Sequence, residues 1–176
     1  MNAETKEQPR SDAATVIYTL RPVDDAQDAQ FLSKVYASTR DDLMMTGLPA
    51  EQLRMLVEMQ QRAQEQHYRA NHPTAEHYIV CLEGEDIGRL IVERLDGALT
   101  LVDVALLPEF RGRGIGGAIM SDLTNEAASS QRAFVLHVIK TNPAVNLYQR
   151  LGCEITGDLG MHYRMEWRPR AGDTTV

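Results

Sequence analysis

The chain has 176 residues, 43% of them hydrophobic and 24% charged, the size and balance of one ordinary globular domain with an adequate core. A formal net charge of −7, with no basic patch and no interleaved aromatics, argues against nucleic acid as a partner. No apolar run approaches the roughly 20 residues of a membrane span, and Met1–Ala14 is too polar for a signal peptide. The expectation is a cytoplasmic protein with no membrane partner.

Residues 1–14 and 168–176 are polar and aperiodic, so both read as flexible tails around a single domain over 15–167. Thr15–Arg21 alternates as a strand, and Pro22-Val23-Asp24 leads into a helix over about Asp25–Ser38. A loop, Thr39–Leu48, precedes a second helix from Pro49 to about Ala70, with Leu53, Leu56, Val57 and Ala63 at helical spacing. His77–Glu83 and Asp86–Leu95 read as strands around a turn at Gly84, and Asp96-Gly97 marks a hairpin into a third strand, Leu99–Leu107.

A glycine-rich run, Arg111-Gly112-Arg113-Gly114-Ile115-Gly116-Gly117, joins that strand to a helix over Ala118–Ala128. Ala133–Ile139 is then a strand, Pro143–Leu151 a short helix, and Cys153–Thr156 with Met161–Trp167 closes the sheet. Cys81 and Cys153 sit in apolar strand contexts and read as buried structural thiols, without a disulfide. His67, His72 and His77 are evenly spaced by five, but helical metal ligands need i, i+3 or i+4, so no metal is expected.

The glycine run has the makings of an anion site. Glycines there admit positive φ and remove bulk, so successive N–H groups converge on a phosphate where the helix dipole is positive. A nucleoside-triphosphate loop requires a Gly-Lys pair, and the chain has none. Gly112-x-Gly114-x-x-Gly117 satisfies the dinucleotide pattern, but the next strand ends in Lys140-Thr141 where that fold wants an acid.

Arg111-x-x-Gly114-x-Gly116 resembles the Gln/Arg-x-x-Gly-x-Gly/Ala signature of the GNAT N-acetyltransferase superfamily. The run from Asn142-Pro143-Ala144 through Leu147-Tyr148 to Leu151-Gly152-Cys153 resembles that family's second hallmark. Leu106-x-Pro108-Glu109-Phe110 and the closing His162–Trp167 strand also match; Cys153 stands where members usually carry Phe. The resemblance implies an α/β (α+β) fold: a mixed, mostly antiparallel sheet of about seven strands, splayed between Leu99–Leu107 and Ala133–Ile139, with helices on both faces.

It also implies acetyl-CoA as cosubstrate, its pyrophosphate on Arg111, Gly112, Arg113, Gly114, Ile115, Gly116 and Gly117, and its pantetheine paired with Leu106 like an added strand. The Val104 N–H would face the thioester carbonyl, and Asn142 would lie at the groove. Tyr148 takes the position of the general acid, the alternative being a cofactor-binding role in which its ring packs against pantetheine and orders the thiol. For the base, Asp103, His137 and solvent remain alternatives. The loop between the first two helices, with Asp41 and Asp42, would wall the site of an amine acceptor, a small molecule or a protein terminus. A noncatalytic acyl-CoA-binding module is the rival reading, and homodimerisation stays open.

Overall fold

The computed structural model describes residues 18–169. The expected tail 1–14 and most of the expected tail 168–176 lie outside the described residues, as does the start of the first strand. The strands are β1 (Thr19–Pro22), β2 (Glu76–Leu82), β3 (Glu85–Arg94), β4 (Ala98–Leu106), β5 (Ala133–Ile139), β6 (Glu154–Leu159) and β7 (His162–Trp167). The helices are α1 (Ala29–Ala37), α2 (Asp41–Met44), α3 (Ala50–Asn71), α4 (Ile115–Ser129) and α5 (Ala144–Arg150). The strands form one sheet in the order β1-β2-β3-β4-β5-β7-β6. Only β4 and β5 run parallel, joined through α4.

The order of elements is the one expected, with one addition. The segment read as a loop, Thr39–Leu48, contains α2. Asp41 and Asp42 occupy its first turn, where carboxylates complement the helix dipole. Leu43 is buried there with Tyr36 and Val57. Helix α1 starts later than its apolar spacing suggests, because the Asp24 carboxylate accepts hydrogen bonds from the Ala26 and Gln27 amides and holds a turn. The Asp28 carboxylate, nearly buried, is clamped by both terminal nitrogens of Arg21 at 2.8 Å, and this guanidinium holds it well below the usual carboxylate range. In the β2–β3 hairpin Glu83 and Gly84 both have positive φ, the backbone of a type I′ turn.

Two clues separate the faces of the sheet. Arg94 of β3 pairs with Glu126 of α4 at 2.7 Å, while Arg89, of opposite parity, reaches Gln64 of α3 at 2.7 Å. Even positions of β3 therefore face α4, and odd positions face α1 and α3. Leu90, Val92, Leu99, Leu101, Ile119, Leu123, Phe134, Leu136 and Met165 make the core on the α4 face.

Strand β4 is interrupted by a bulge. Leu101 pairs with Val92 and Asp103 with Ile91, so Val102 is an extra residue. The insertion resets the alternation: Leu99 and Leu101 face α4, and after it Val104 and Leu106 face α4 while Asp103 faces α3. Pairing between β4 and β5 stops at the same level. Ala98–Leu101 is in register with Ala133–Leu136, and beyond it Val102–Leu106 and His137–Ile139 have no mutual partners. The sheet is splayed between the two strands where the family resemblance implied an opening.

Candidate functional site

The seam between β4 and β5 presents backbone groups rather than side chains. The Leu107 amide donates to the Ile87 carbonyl at 2.9 Å. In an antiparallel ladder alternate residues turn both polar groups toward the same neighbour, so those of Leu106 and Val104 point away from β3 and into the seam. The Leu106 carbonyl, which accepts from Nε of Arg111 at 2.8 Å, has the same direction. Unpaired strand groups of this kind bind an extended partner.

At the mouth of the seam Gly112 and Gly114 have φ of 72° and 82°, in the left-handed region that favours glycine. Gly114 caps α4 without a side-chain hydrogen bond, which leaves the amides of the first turn available to an anion. A Cβ on Gly117 would meet nothing within 4 Å, so the space over these amides is open. The two arginines do different work. Arg111 ties Leu106 to α1, its Nη2 donating to the Ser38 carbonyl at 2.9 Å and to Oγ at 3.1 Å. Arg113 lies over the Phe110 ring at 5.1 Å. Asn142 precedes α5, its side-chain oxygen accepting from the Ala144 amide at 2.9 Å in a turn that leads into the helix.

Tyr148 is buried at the start of the α4-side core. Burial first, then the charges of Asp103 and Cys153, push its phenol up to about 12, so the hydroxyl keeps its proton at neutral pH. Cys153 is buried and free, its thiol pushed up to about 11 by burial. Cys81 is buried and free as well.

On the opposite face Asp103 belongs to a network. Its carboxylate accepts from Nε of Arg89 at 2.6 Å and from the Tyr68 hydroxyl at 3.4 Å. Burial and the Asp103 charge raise the Tyr68 phenol. Across the seam His137 is the first β5 residue beyond the paired segment, on the same face as Asp103. Its imidazole is solvent-exposed, and its pKa is pushed down by partial loss of water and by Arg164, His162 and His72. His72 bonds through Nδ1 to Glu93 at 2.7 Å, and Thr74 donates to the same carboxylate at 2.8 Å. Asp42 is exposed and paired with Arg40 at 2.7 Å, and Asp41 is exposed.

The structure thus sets Val104, Leu106 and the loop 111–117 along one seam, with Tyr148 buried in the core that Val104 and Leu106 pack against and Asp103 and His137 on the other face of the sheet. Arg89 is the residue that sequence reasoning missed. Its signal was an arginine in the otherwise apolar run Ile87–Val92, where a buried charge requires a partner. Among the described residues no group of three or more His, Cys, Asp or Glu could hold a metal, and no helix is long and apolar enough to cross a membrane.

Residues 73–154 match the model of the acetyltransferase (GNAT) domain. No curated protein matches the chain in sequence. Solved structures resemble its fold. An acetyltransferase from Thermus thermophilus has a TM-score of 0.63 at 20% identity, covering 88% of this chain and 98% of that one. The PaiA N-acetyltransferase of Thermoplasma acidophilum, in complex with coenzyme A, has a TM-score of 0.62 at 14% identity, covering 86% and 99%. A GNAT family acetyltransferase from Elizabethkingia anophelis with acetyl-CoA bound has a TM-score of 0.54 at 16% identity, covering 86% and 97%.

Proposed function

We propose that the chain, whose residues 73–154 match the acetyltransferase (GNAT) domain model and whose fold resembles those of solved acetyltransferases, is an acyltransferase that transfers the acetyl group of acetyl-CoA to a primary amine by direct attack in a ternary complex. The observation that carries this is the seam: a strand edge left open beside a helix start whose first-turn amides are free. The first holds an extended amide chain and the second a pyrophosphate. Coenzyme A has both, about one pantetheine length apart.

In this reading pantetheine pairs with Leu106, displacing Arg111 from its carbonyl, and brings the thioester to the Val104 N–H. The amine approaches from the Asp103 face and gives up a proton to reach its nucleophilic form. Asp103, held by Arg89 and Tyr68, orients the amine or its water, and His137 receives the proton. The nitrogen attacks the carbonyl carbon, and the Val104 N–H stabilises the oxyanion. As the carbon–sulfur bond breaks, Tyr148 donates its proton to the departing thiolate, the acylated nitrogen gives up its second proton to solvent, and Tyr148 is reprotonated from solvent. The products are the acetylated amine and CoA thiol. The 15–167 unit acts as one catalytic domain, with cytoplasm as its working compartment.

Gly117→Asp tests the cofactor half. An acidic residue in the first turn suits the helix dipole, so the variant folds, yet its carboxylate faces the pyrophosphate. Calorimetry should show acetyl-CoA affinity reduced at least tenfold with melting unchanged; equal affinity would remove the loop from the cofactor site. CoA release with an amine panel tests the transfer itself. A binding module would bind acetyl-CoA and release none.

A further inference from the structure

Beside the seam, on the face from which the amine approaches, lies a row of side chains that the acyl-transfer chemistry does not use. Ile139 of β5 is in register with His162 of β7, and His162 with Leu159 of β6. Cross-strand partners share a face, so Ile139 and Leu159 flank His162 on the Asp103 and His137 side. Ile139 is 45% exposed, Leu159 58% and Met161, at the tip of the same hairpin, 74%. Leu106 and Ile139 end the two splayed strands, so this apolar platform adjoins the mouth of the seam. On the same face, across the seam from the platform, helices α1 and α3 cover β3 and β4.

Most carboxylates around the platform already have hydrogen-bonded or ion-pair partners. Asp103 is held by Arg89 at 2.6 Å, Glu93 by His72 at 2.7 Å, Asp158 by Lys140 at 2.6 Å, and Glu166 by Arg164 at 2.7 Å and by Arg168. Glu154 stands at the far end of β6, in register with Glu166. Among these groups a polycation would find only Glu154 without an ion pair, at the end of β6 away from Leu159. An amine with an apolar body would cover the exposed side chains of Ile139, Leu159 and Met161 around the His162 ring, and exposed apolar surface next to a reactive groove marks a ligand surface.

Resting on the acetyltransferase reading, we propose that the acceptor is a monoamine with an apolar body, seated on Ile139, Leu159 and Met161, and not a polyamine or an aminoglycoside. The overall charge of −7 favours cations at long range, but the local pairing decides which amine stays. The platform excludes water from one side of the amine and leaves the other side to His137.

The test compares 2-phenylethylamine with spermidine by CoA release, in the wild type and in Leu159→Ser and Ile139→Ser, which lie on the surface and leave acetyl-CoA binding intact. The kcat/KM for 2-phenylethylamine should exceed that for spermidine by at least tenfold, and each substitution should lower it about tenfold, the scale of one hydrophobic contact in a specificity pocket. Equal or better use of spermidine, or unchanged use of 2-phenylethylamine by both variants, would overturn the proposal. Spermidine turnover abolished by Asp41→Asn would overturn it too, by placing the acceptor on α2. If neither amine releases CoA although acetyl-CoA binds, the transferase reading fails. Calorimetry of the two amines on the CoA-loaded protein then decides the platform separately: 2-phenylethylamine binding weakened in Leu159→Ser upholds it, and spermidine binding as tightly contradicts it.

Discussion

Within β4, Ala98–Leu101 is hydrogen-bonded on both sides, to β3 and to β5, whereas Val102–Leu106 is bonded to β3 alone. Both halves are rich in Leu, Val and Ala. The first half is a core strand whose side chains do its work. In the second the side chains still fill the core, and the backbone is left for a ligand. The difference teaches that a strand can build a binding site by withholding hydrogen bonds, and that the residue types on such a strand report packing more than chemistry.

Substitutions should separate the halves by what they damage. The largest effect belongs to the open half: Tyr148→Phe keeps the ring and removes the proton, so kcat should fall about 10²- to 10⁴-fold with CoA affinity little changed. A loss below about tenfold, where chemistry limits turnover, would make Tyr148 a packing residue and solvent the acid. In the closed half Leu136, 1% exposed, contributes only burial. Leu136→Ala should cost about 2 to 5 kcal/mol in denaturant unfolding and leave kcat of the folded enzyme nearly intact.

Gly88 links the halves. It is in register with Leu106, and a Cβ there would collide with the Ala105 carbonyl oxygen, a backbone atom that cannot swing away. Gly88→Ala should cost about 1 to 3 kcal/mol and also weaken acetyl-CoA binding by moving Leu106, whereas Leu136→Ala should not. Stability loss without any loss of affinity would show that the seam tolerates displacement.

The smallest effect is one of pH. His137 is pushed below its ordinary 6.5 by lost water and by its neighbours Arg164, His162 and His72. As a base it works when neutral, so kcat should hold flat down through pH 6.5 and fall only as pH drops through the lowered value, about tenfold per unit below it. In His137→Gln that limb should vanish. A limb that persists in the variant would assign the proton to another group.

Much of this was legible in the sequence, for identifiable reasons. Positive φ at Gly112 and Gly114, the strand before them and the helix after them follow from residue type and spacing alone. So do the neighbouring strands of the hairpins, because short turns leave few pairings. The bulge at Val102 was not legible, because Leu99–Leu107 is apolar enough to run straight through it. Asp103 could be set on the face opposite Val104 by parity, but its partner Arg89 is 14 residues away in sequence and meets it only when β3 and β4 pair. Helix α2 escaped notice because four residues are too few for a periodic signal, and burial of Leu43 against α3 supplies what propensity does not.

The seam is tested most directly by amide hydrogen exchange of β4, residue by residue, with and without CoA. In the free protein the amides of Leu99 and Leu101 should exchange slowly and those of Val104 and Leu106, which face the open seam, much faster. CoA should slow Leu106 at least tenfold and leave Leu99 and Leu101 unchanged. Equal protection of all four in the free protein, or CoA binding with no change at Leu106, would contradict an open strand edge as the cofactor site.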